Sequence, residues 1–127
     1  MLPNLFKIAG EISPFCMHVA ARSVATHAWS TFCDHSDVMS ARGTGFALLA
    51  SGSVQGAQDL AAIGHAVSLE SRVPVMHFFD GFRTSHEIDK IVALSDEDLQ
   101  ALMPHERVET HRYRRMIPDR PVVRGNS

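Results

Sequence analysis

With 127 residues and a formal net charge of -2, the chain is long enough for one domain with a buried core, and its overall charge gives no reason to expect nucleic acid as a partner. No apolar run reaches the roughly 18 residues of a membrane span, and the N-terminus lacks the pattern of a signal peptide. The two cysteines, Cys16 and Cys33, fit no Cys-x-x-Cys metal site, so we expect reduced thiols, no bound metal and a cytoplasmic location. Because no membrane span is predicted, we also expect no membrane partner.

The first part of the chain predicts a helix, a strand and a shorter helix. Leu2 to Ile12 is expected to be helical, although no residue before it is a good cap. The apolar run Cys16 to Ala21 predicts a strand, with Arg22 at its exit. A polar turn at Asp34 to Asp37 and a short helical piece over 38–42 follow.

The middle of the chain has the pattern of a strand, a helix and a second strand. Strands are predicted at Phe46 to Ala50 and at Val73 to Phe79, and a helix over 54–71 that Ser51 or Ser53 can cap. Such a βαβ unit indicates a parallel sheet. The apolar stripe of the helix is expected to consist of Ala57, Leu60, Ala61, Ile63, Gly64 and Val67.

The last part of the chain predicts a short extended piece over 86–93 and then two helices. Ser95 and Asp98 form a capping box that starts the first of them, and the second is expected over 105–116. We therefore predict a single α/β domain spanning residues 1–127, with a small, mostly parallel sheet of three to four strands and helices on both faces.

Polar side chains crowd the point where the strand at Val73 to Phe79 ends. These residues are Asp80, Gly81, Arg83, Thr84, Ser85, His86 and Glu87. In an open α/β sheet, ligands bind beyond the carboxyl ends of the strands. The pattern indicates a functional role, or an interface with one, at this edge.

Arg22 is the main candidate for a binding residue. A guanidinium at the end of a buried strand can hold a carboxylate through two parallel hydrogen bonds. A structural ion pair with Asp34 or Asp37 explains the same residue equally well. The spacing alone leaves both interpretations open.

Three other patterns favour ordinary structural roles. The run Asp34 to Asp37 contains Asp, His and Ser, but neighbouring residues cannot form a hydrolytic triad, so a turn is expected. The eight histidines include no His-Glu-x-x-His motif, and His18, His65 and His77 are expected to be hydrogen-bonded core residues. The arginine-rich stretch 107–124 is interspersed with acidic residues and indicates a solvated surface rather than a nucleic-acid interface.

Five segments of the chain resemble pyruvate:ferredoxin (flavodoxin) oxidoreductase. They are Leu2-Pro-Asn-Leu-Phe-Lys-Ile-Ala-Gly-Glu, His18-Val-Ala-Ala-Arg, Asp34-His-Ser-Asp, Thr44-Gly-Phe-Ala-Leu-Leu-Ala-Ser and His77-Phe-Phe-Asp-Gly-Phe-Arg-Thr-Ser-His-Glu. The resemblance runs in order from about Leu2 to Gly125. It places residues 1–127 in part of the N-terminal domain, which in the family binds the pyrimidine side of thiamine diphosphate.

The resemblance implies an enzyme that decarboxylates pyruvate, or another 2-oxo acid, on thiamine diphosphate and forms acetyl-CoA. Electrons would pass through iron–sulfur clusters to ferredoxin or flavodoxin. Arg22 matches the family arginine that binds the carboxylate of pyruvate, which makes it the catalytic and substrate-binding residue implied for this chain.

Other family features have no match in this sequence. The family threonine that touches pyruvate, the glutamate that activates the aminopyrimidine and about three strands lie upstream of the matched region, while magnesium and the clusters are held by other domains. We therefore expect a fragment that is inactive alone, binds no magnesium or cluster, contains no assignable cofactor-binding residue and needs the remaining domains as partners. A non-catalytic interaction module that pairs with the rest of a split enzyme is the alternative, and an unrelated hydrolase or metal protein is a third.

Overall fold

The computed structural model of the chain describes residues 1–24 and 32–121. Helices and strands alternate along most of this sequence. In chain order they are α1 (Leu2–Gly10), β1 (Cys16–Ala21), α2 (Ser36–Ser40), β2 (Ala47–Ser51), α3 (Val54–Ser71), β3 (Val75–Asp80), α4 (Arg83–His86), α5 (Asp96–Leu102) and α6 (His105–Tyr113).

The three strands form a parallel sheet in the order β1-β3-β2. The central strand β3 is buried over Val75 to Phe78, as expected for a strand that is covered on both faces. Its register sets His18 of β1 and Leu49 of β2 on either side of His77. The predicted α/β class, with a small parallel sheet, is confirmed.

One face of the sheet packs against α1 and α2 and forms the hydrophobic core. The core residues are Leu5, Ala21, Val38, Ala41, Phe46, Met76 and Phe78. Burying large side chains of this kind contributes about 1.5–3 kcal/mol each, as an upper estimate. Because side chains alternate along a strand, this packing leaves the other face of the sheet for α3.

Helix α3 lies on the second face, so helices cover both faces as predicted. Its cap is Ser53, whose hydroxyl accepts a hydrogen bond from the N–H of Gly56. The predicted apolar stripe was partly wrong, because Ile63 and Val67 are 39% and 44% exposed.

The buried positions of α3 are Gly64, Ala66 and Ser68, which are all small. A Cβ at Gly64 would lie only 3.1 Å from the sulfur of Cys16. The hydroxyl of Ser68 exchanges hydrogen bonds with the N–H and C=O of Phe15. Small side chains and a bonded hydroxyl therefore let the helix approach the sheet closely, which hydrophobicity alone did not predict.

The region after β3 differs from its prediction. No strand forms over 86–93; instead the short helix α4 ends at His86 and an irregular segment follows. This segment is held to α3 because Gln55 accepts a hydrogen bond from the N–H of Val92, while Gln55 and Gln58 donate to its carbonyl. Side-chain amides therefore satisfy backbone groups that a strand would have paired with a neighbour.

Two helices complete the described chain. The capping box of Ser95 and Asp98 is present at the start of α5, as predicted. Helix α6 ends at Tyr113, three residues earlier than expected. Within residues 1–24 and 32–121, no helix combines the length and apolar character needed to cross a membrane.

Candidate functional site

The carboxyl ends of the three strands meet at one edge of the sheet. Arg22 follows β1 and Gly81 follows β3, and β2 ends on the opposite side of β3. The structure therefore brings Arg22 close to the start of the polar segment after β3, at Gly81. This is the edge at which parallel α/β sheets bind ligands.

The backbone of Arg22 is held in place, whereas its guanidinium is not. The Arg22 N–H donates a 2.9 Å hydrogen bond to the carboxylate of Asp37. The side chain is half-buried, and in the described part of the chain its guanidinium has no hydrogen-bond or ion-pair partner. The site therefore has a cation whose backbone is fixed and whose guanidinium is available to an anion.

Gly81 forms the other wall beside this cation. Its N–H donates a 2.8 Å hydrogen bond to the carbonyl of Ala21, which continues the β1–β3 pairing beyond the strands. A Cβ at this position would lie 2.4 Å from the oxygen of Ala21 and 2.7 Å from Nε of Arg22. Only glycine fits here without displacing the arginine or the backbone.

The polar groups of the segment Asp80 to His86 mainly form hydrogen bonds with one another. The carboxylate of Asp80 accepts hydrogen bonds from the N–H groups of Arg83 and Phe82, which lower the pKa of Asp80. The hydroxyl of Ser85 donates to the carbonyl of Gly81 and contacts Nδ1 of His86. These contacts hold the turn after β3, and the side chain of Arg83 is exposed.

The predicted turn over Asp34 to Asp37 is only partly right, because Ser36 and Asp37 already belong to α2. The carboxylate of Asp34 accepts a hydrogen bond from the N–H of Ser36. Hydrogen bonding from the Ser36 side chain, and then from this N–H, lowers the pKa of Asp34. His35 has a left-handed φ of 58°, and its Nε2 lies 3.5 Å from the carboxylate of Asp80. Asp34 and His35 therefore lead into α2 beside the edge of the sheet, and their contacts are structural.

A chain of polar side chains crosses the α3 face of the sheet. His18 Nδ1 lies 3.0 Å from His77 Nδ1, and His77 Nε2 lies 3.0 Å from the hydroxyl of Ser51. On the other side, His18 Nε2 lies 3.2 Å from His65 Nε2. Burial lowers the pKa of both His18 and His77, and the neighbouring imidazole adds to the effect in each case.

The prediction for these histidines was only partly right. His77 is 1% exposed and hydrogen-bonded, so the core interpretation is confirmed for it. His18 and His65 are exposed, so the interpretation was wrong for them; His18 lies on an outer strand, and His65 of α3 contacts it there. The two-residue spacing of Cys16 and His18 on one strand was the available signal that this face carries polar groups.

Two arginines of the predicted surface stretch, Arg107 and Arg112, make the contacts expected of a solvated surface, while residues 122–124 of the stretch lie outside the described part of the chain. Arg107 forms hydrogen bonds to both oxygens of the Glu70 carboxylate, and this ion pair lowers the pKa of Glu70. Arg112 contacts Glu109 within the same helix at 3.4 Å. Their charges are therefore balanced locally by carboxylates.

The similarity to known proteins extends over the whole chain. A family model described as "Pyruvate flavodoxin/ferredoxin oxidoreductase, thiamine diP-bdg" matches residues 1–127. Over 127 residues the chain is 60% identical to a pyruvate-flavodoxin oxidoreductase of Rhodospirillum rubrum and 58% identical to a probable pyruvate-flavodoxin oxidoreductase of Escherichia coli K12. It is 51% identical to a pyruvate:ferredoxin oxidoreductase of Moorella thermoacetica.

In each case the match covers 100% of the chain and 11% of the relative. The chain therefore spans about one tenth of the length of these curated relatives. With a family model that matches it from end to end, the chain belongs to the thiamine-diphosphate-binding family of pyruvate flavodoxin/ferredoxin oxidoreductases.

Proposed function

We propose that the chain is part of a pyruvate:ferredoxin (flavodoxin) oxidoreductase and that Arg22 holds the carboxylate of pyruvate or a related 2-oxo acid. The observation that supports this proposal is the half-buried guanidinium at the carboxyl edge of the sheet, without a partner among the described residues. The family membership makes a 2-oxo acid the natural anion.

The rival ion-pair interpretation of Arg22 finds no support in these contacts. The carboxylate of Asp37 accepts from the backbone N–H groups of Arg22 and Val38, and that of Asp34 accepts from Ser36 and does not pair with the guanidinium. Both carboxylates are therefore hydrogen-bonded to backbone N–H groups rather than to the guanidinium of Arg22. A charged hydrogen bond is worth about 1.5–3 kcal/mol, so a bidentate carboxylate offers the guanidinium a stabilisation it lacks here.

The described residues at this edge fit the anionic end of a substrate better than they fit thiamine diphosphate. The aminopyrimidine and a diphosphate-bound metal ion each need a free carboxylate, but those of Asp37 and Asp80 are already bonded to backbone N–H groups. None of these carboxylates is therefore proposed to bind the cofactor. When bound in the whole enzyme, thiamine diphosphate supplies the electron sink for decarboxylation.

The proposal places the remaining machinery outside this chain. Magnesium, the iron–sulfur clusters and the contact with ferredoxin or flavodoxin belong to other parts of the proposed enzyme, and residues 1–127 form part of its pyrimidine-binding domain. The chain is then expected to be inactive on its own. Purified chain with pyruvate, thiamine diphosphate, magnesium and a dye acceptor should show no dye reduction, and measurable turnover would contradict this part of the proposal.

The test of Arg22 uses a full-length relative such as the Rhodospirillum rubrum protein. Replacing the arginine equivalent to Arg22 with Ala should lower kcat/KM for pyruvate by about 100-fold or more, because two charged hydrogen bonds of about 1.5 kcal/mol are lost. Arg22→Lys keeps the charge but not the fork of donors, and it should restore only part of the loss.

The matched control is the arginine equivalent to Arg42, which is exposed and donates to the carbonyl of Met39. Its replacement with Ala should leave kcat/KM for pyruvate unchanged. An unaltered pyruvate dependence in Arg22→Ala, or an equal loss in both variants, would refute the assignment of Arg22.

The second candidate function is an interaction module that pairs with the rest of a split enzyme. An apolar cavity of about 300 Å³ favours it, since this cavity opens beside β1 and is lined by side chains that include Leu2, Met17 and Val19. Exposed apolar residues near it, Met1 and Val24 among them, add to this surface. Co-expression with the remaining part of a relative should yield a co-purifying complex, and separate elution of the two parts would contradict this function.

A further inference from the structure

A group of nitrogen and sulfur donors lies on the α3 face of the sheet, away from the strand-end edge that carries Arg22. Cys16 and His18 are two residues apart on β1, so their side chains project to the same face. His65 comes from α3, which lies against β1 at Gly64. One strand and one helix thus present three possible metal ligands to a common point.

We propose that Cys16 Sγ, His18 Nε2 and His65 Nε2 form a binding site for Zn²⁺, with the fourth position open to water. This site is independent of the proposed 2-oxo acid function and uses none of its residues. Two imidazoles and a thiolate are donors that suit zinc, and three protein ligands with one open position are a recurring zinc arrangement.

The distances suit a small tetrahedral ion. The three ligand atoms lie within 4.8 Å of one another, and the two imidazole Nε2 atoms are 3.2 Å apart. With Zn–N bonds of about 2.05 Å, tetrahedral geometry requires about 3.3 Å between two nitrogens. The imidazoles are thus already spaced for one ion, and the thiol lies within 4.8 Å of both.

The polar chain behind His18 supports the same assignment, because it fixes the tautomer that a metal needs. If Nδ1–H of His18 donates to Nδ1 of His77, then Nε2–H of His77 donates to the hydroxyl of Ser51, and this hydroxyl can donate to the carbonyl of Phe78. Every donor and acceptor in this series is then hydrogen-bonded. The Nε2 atom of His18 carries no proton, so its lone pair faces His65 and is available to a metal ion. Such a partner behind a ligating histidine is typical of metal sites.

The site is open to an ion from solvent. Cys16 is partly buried, whereas His18 and His65 are exposed, so water can reach the metal position. In the absence of a metal, His65 Nε2–H can donate to His18 Nε2, which accounts for their short contact. Metal binding then requires that the exposed His65 carry its proton on Nδ1 instead and that the Cys16 thiol release its proton to water.

The test is a titration of the untagged, chelator-treated chain with Co²⁺, followed by competition with Zn²⁺. We expect one bound ion per chain and the absorption of a thiolate–Co²⁺ charge transfer, which Zn²⁺ abolishes. Cys16→Ser should remove this absorption, and His65→Ala should weaken binding at least tenfold. Ser51→Ala acts on the site through His77, so it should weaken binding less than His65→Ala does, without changing the spectrum.

The chain provides matched controls for both ligand types. Cys33 is the second thiol and His105 is an exposed histidine on α6, so Cys33→Ser and His105→Ala should bind as the parent chain does. Circular dichroism establishes that each variant is folded. Absence of a thiolate band in the folded parent chain, or a loss of binding in the controls equal to that in Cys16→Ser and His65→Ala, would overturn the proposal.

Discussion

Replacing Gly81 with alanine tests the contact between β1 and β3 at the edge of the sheet. The new Cβ would lie 2.4 Å from the carbonyl oxygen of Ala21 and 2.9 Å from the carbonyl carbon of Ala20, whereas ordinary contact begins at 3.4 Å. Both neighbours are backbone atoms, so a side-chain rotation cannot relieve the overlap. The strand ends must separate by about 1 Å.

Three terms set the size of the effect. Overpacking costs about 1–3 kcal/mol, and loss of the hydrogen bond from Gly81 N–H to Ala21 costs about 0.5–1.5 kcal/mol. Alanine offsets about 0.4–1 kcal/mol, because it restricts the unfolded chain more than glycine does. The free energy of unfolding should therefore fall by about 2 kcal/mol, which corresponds to a melting temperature lower by about 8 °C in a chain of this size.

Thermal unfolding followed by circular dichroism measures this change, and Gly52→Ala is the control. A Cβ at Gly52 meets nothing within 4 Å, and Gly52 does not have a positive φ, so this variant should be as stable as the parent chain or slightly more so. Equal melting temperatures for Gly81→Ala and Gly52→Ala would refute the close approach of β3 to β1 at this point.

Three further predictions concern the turns and the surface. Ser95→Ala should destabilise α5 by about 1 kcal/mol, seen as faster hydrogen exchange of its amides, and unchanged exchange would contradict the capping role. Hydrogen bonds lower the pKa of the Asp80 carboxyl from 3.8, so its contribution to stability is present above that pH and is lost as the pH falls through the lowered pKa. The stability of Asp80→Asn should therefore depend less steeply on pH below about 4 than that of the parent chain. An equally steep dependence would disprove the contribution of Asp80. Arg107→Ala removes an ion pair whose two side chains are 50% and 56% exposed, so the unfolding midpoint should not change measurably in physiological salt, and a clear drop would show that this pair is a structural contact.

The helices and strands that were predicted well are those whose ends are determined by residues close to them in the sequence. The strand at Cys16 to Ala21 matches its prediction at both ends, because the apolar run is limited by Pro14 on one side and by the charged Arg22 on the other. The start of α5 follows from the Ser95 and Asp98 capping box, whose hydrogen bonds join residues only three apart. Helix α4 was missed, because it depends on Asp80 binding the N–H groups of Phe82 and Arg83.

The candidate site was predicted in part for a similar reason. The position of Arg22 at a strand exit can be read from its place in the sequence, since parallel strands end at a common edge. Its contact with Gly81 cannot, because that contact depends on which strand lies next to β1. The cluster of Cys16, His18 and His65 was missed for the same reason, since 47 residues separate the two histidines.

The sequence by itself determined the α/β class, most of the helices and strands, and the presence of a cation beyond the first strand. These features arise from periodicity, caps and turns, which act over a few residues. Only the tertiary structure decided that β3 lies between β1 and β2, and with it the contacts of His18 with His77 and of Gly81 with Ala21. Strand order depends on how the faces of the whole sheet are buried by α1, α2 and α3, and no short segment of the chain contains that information.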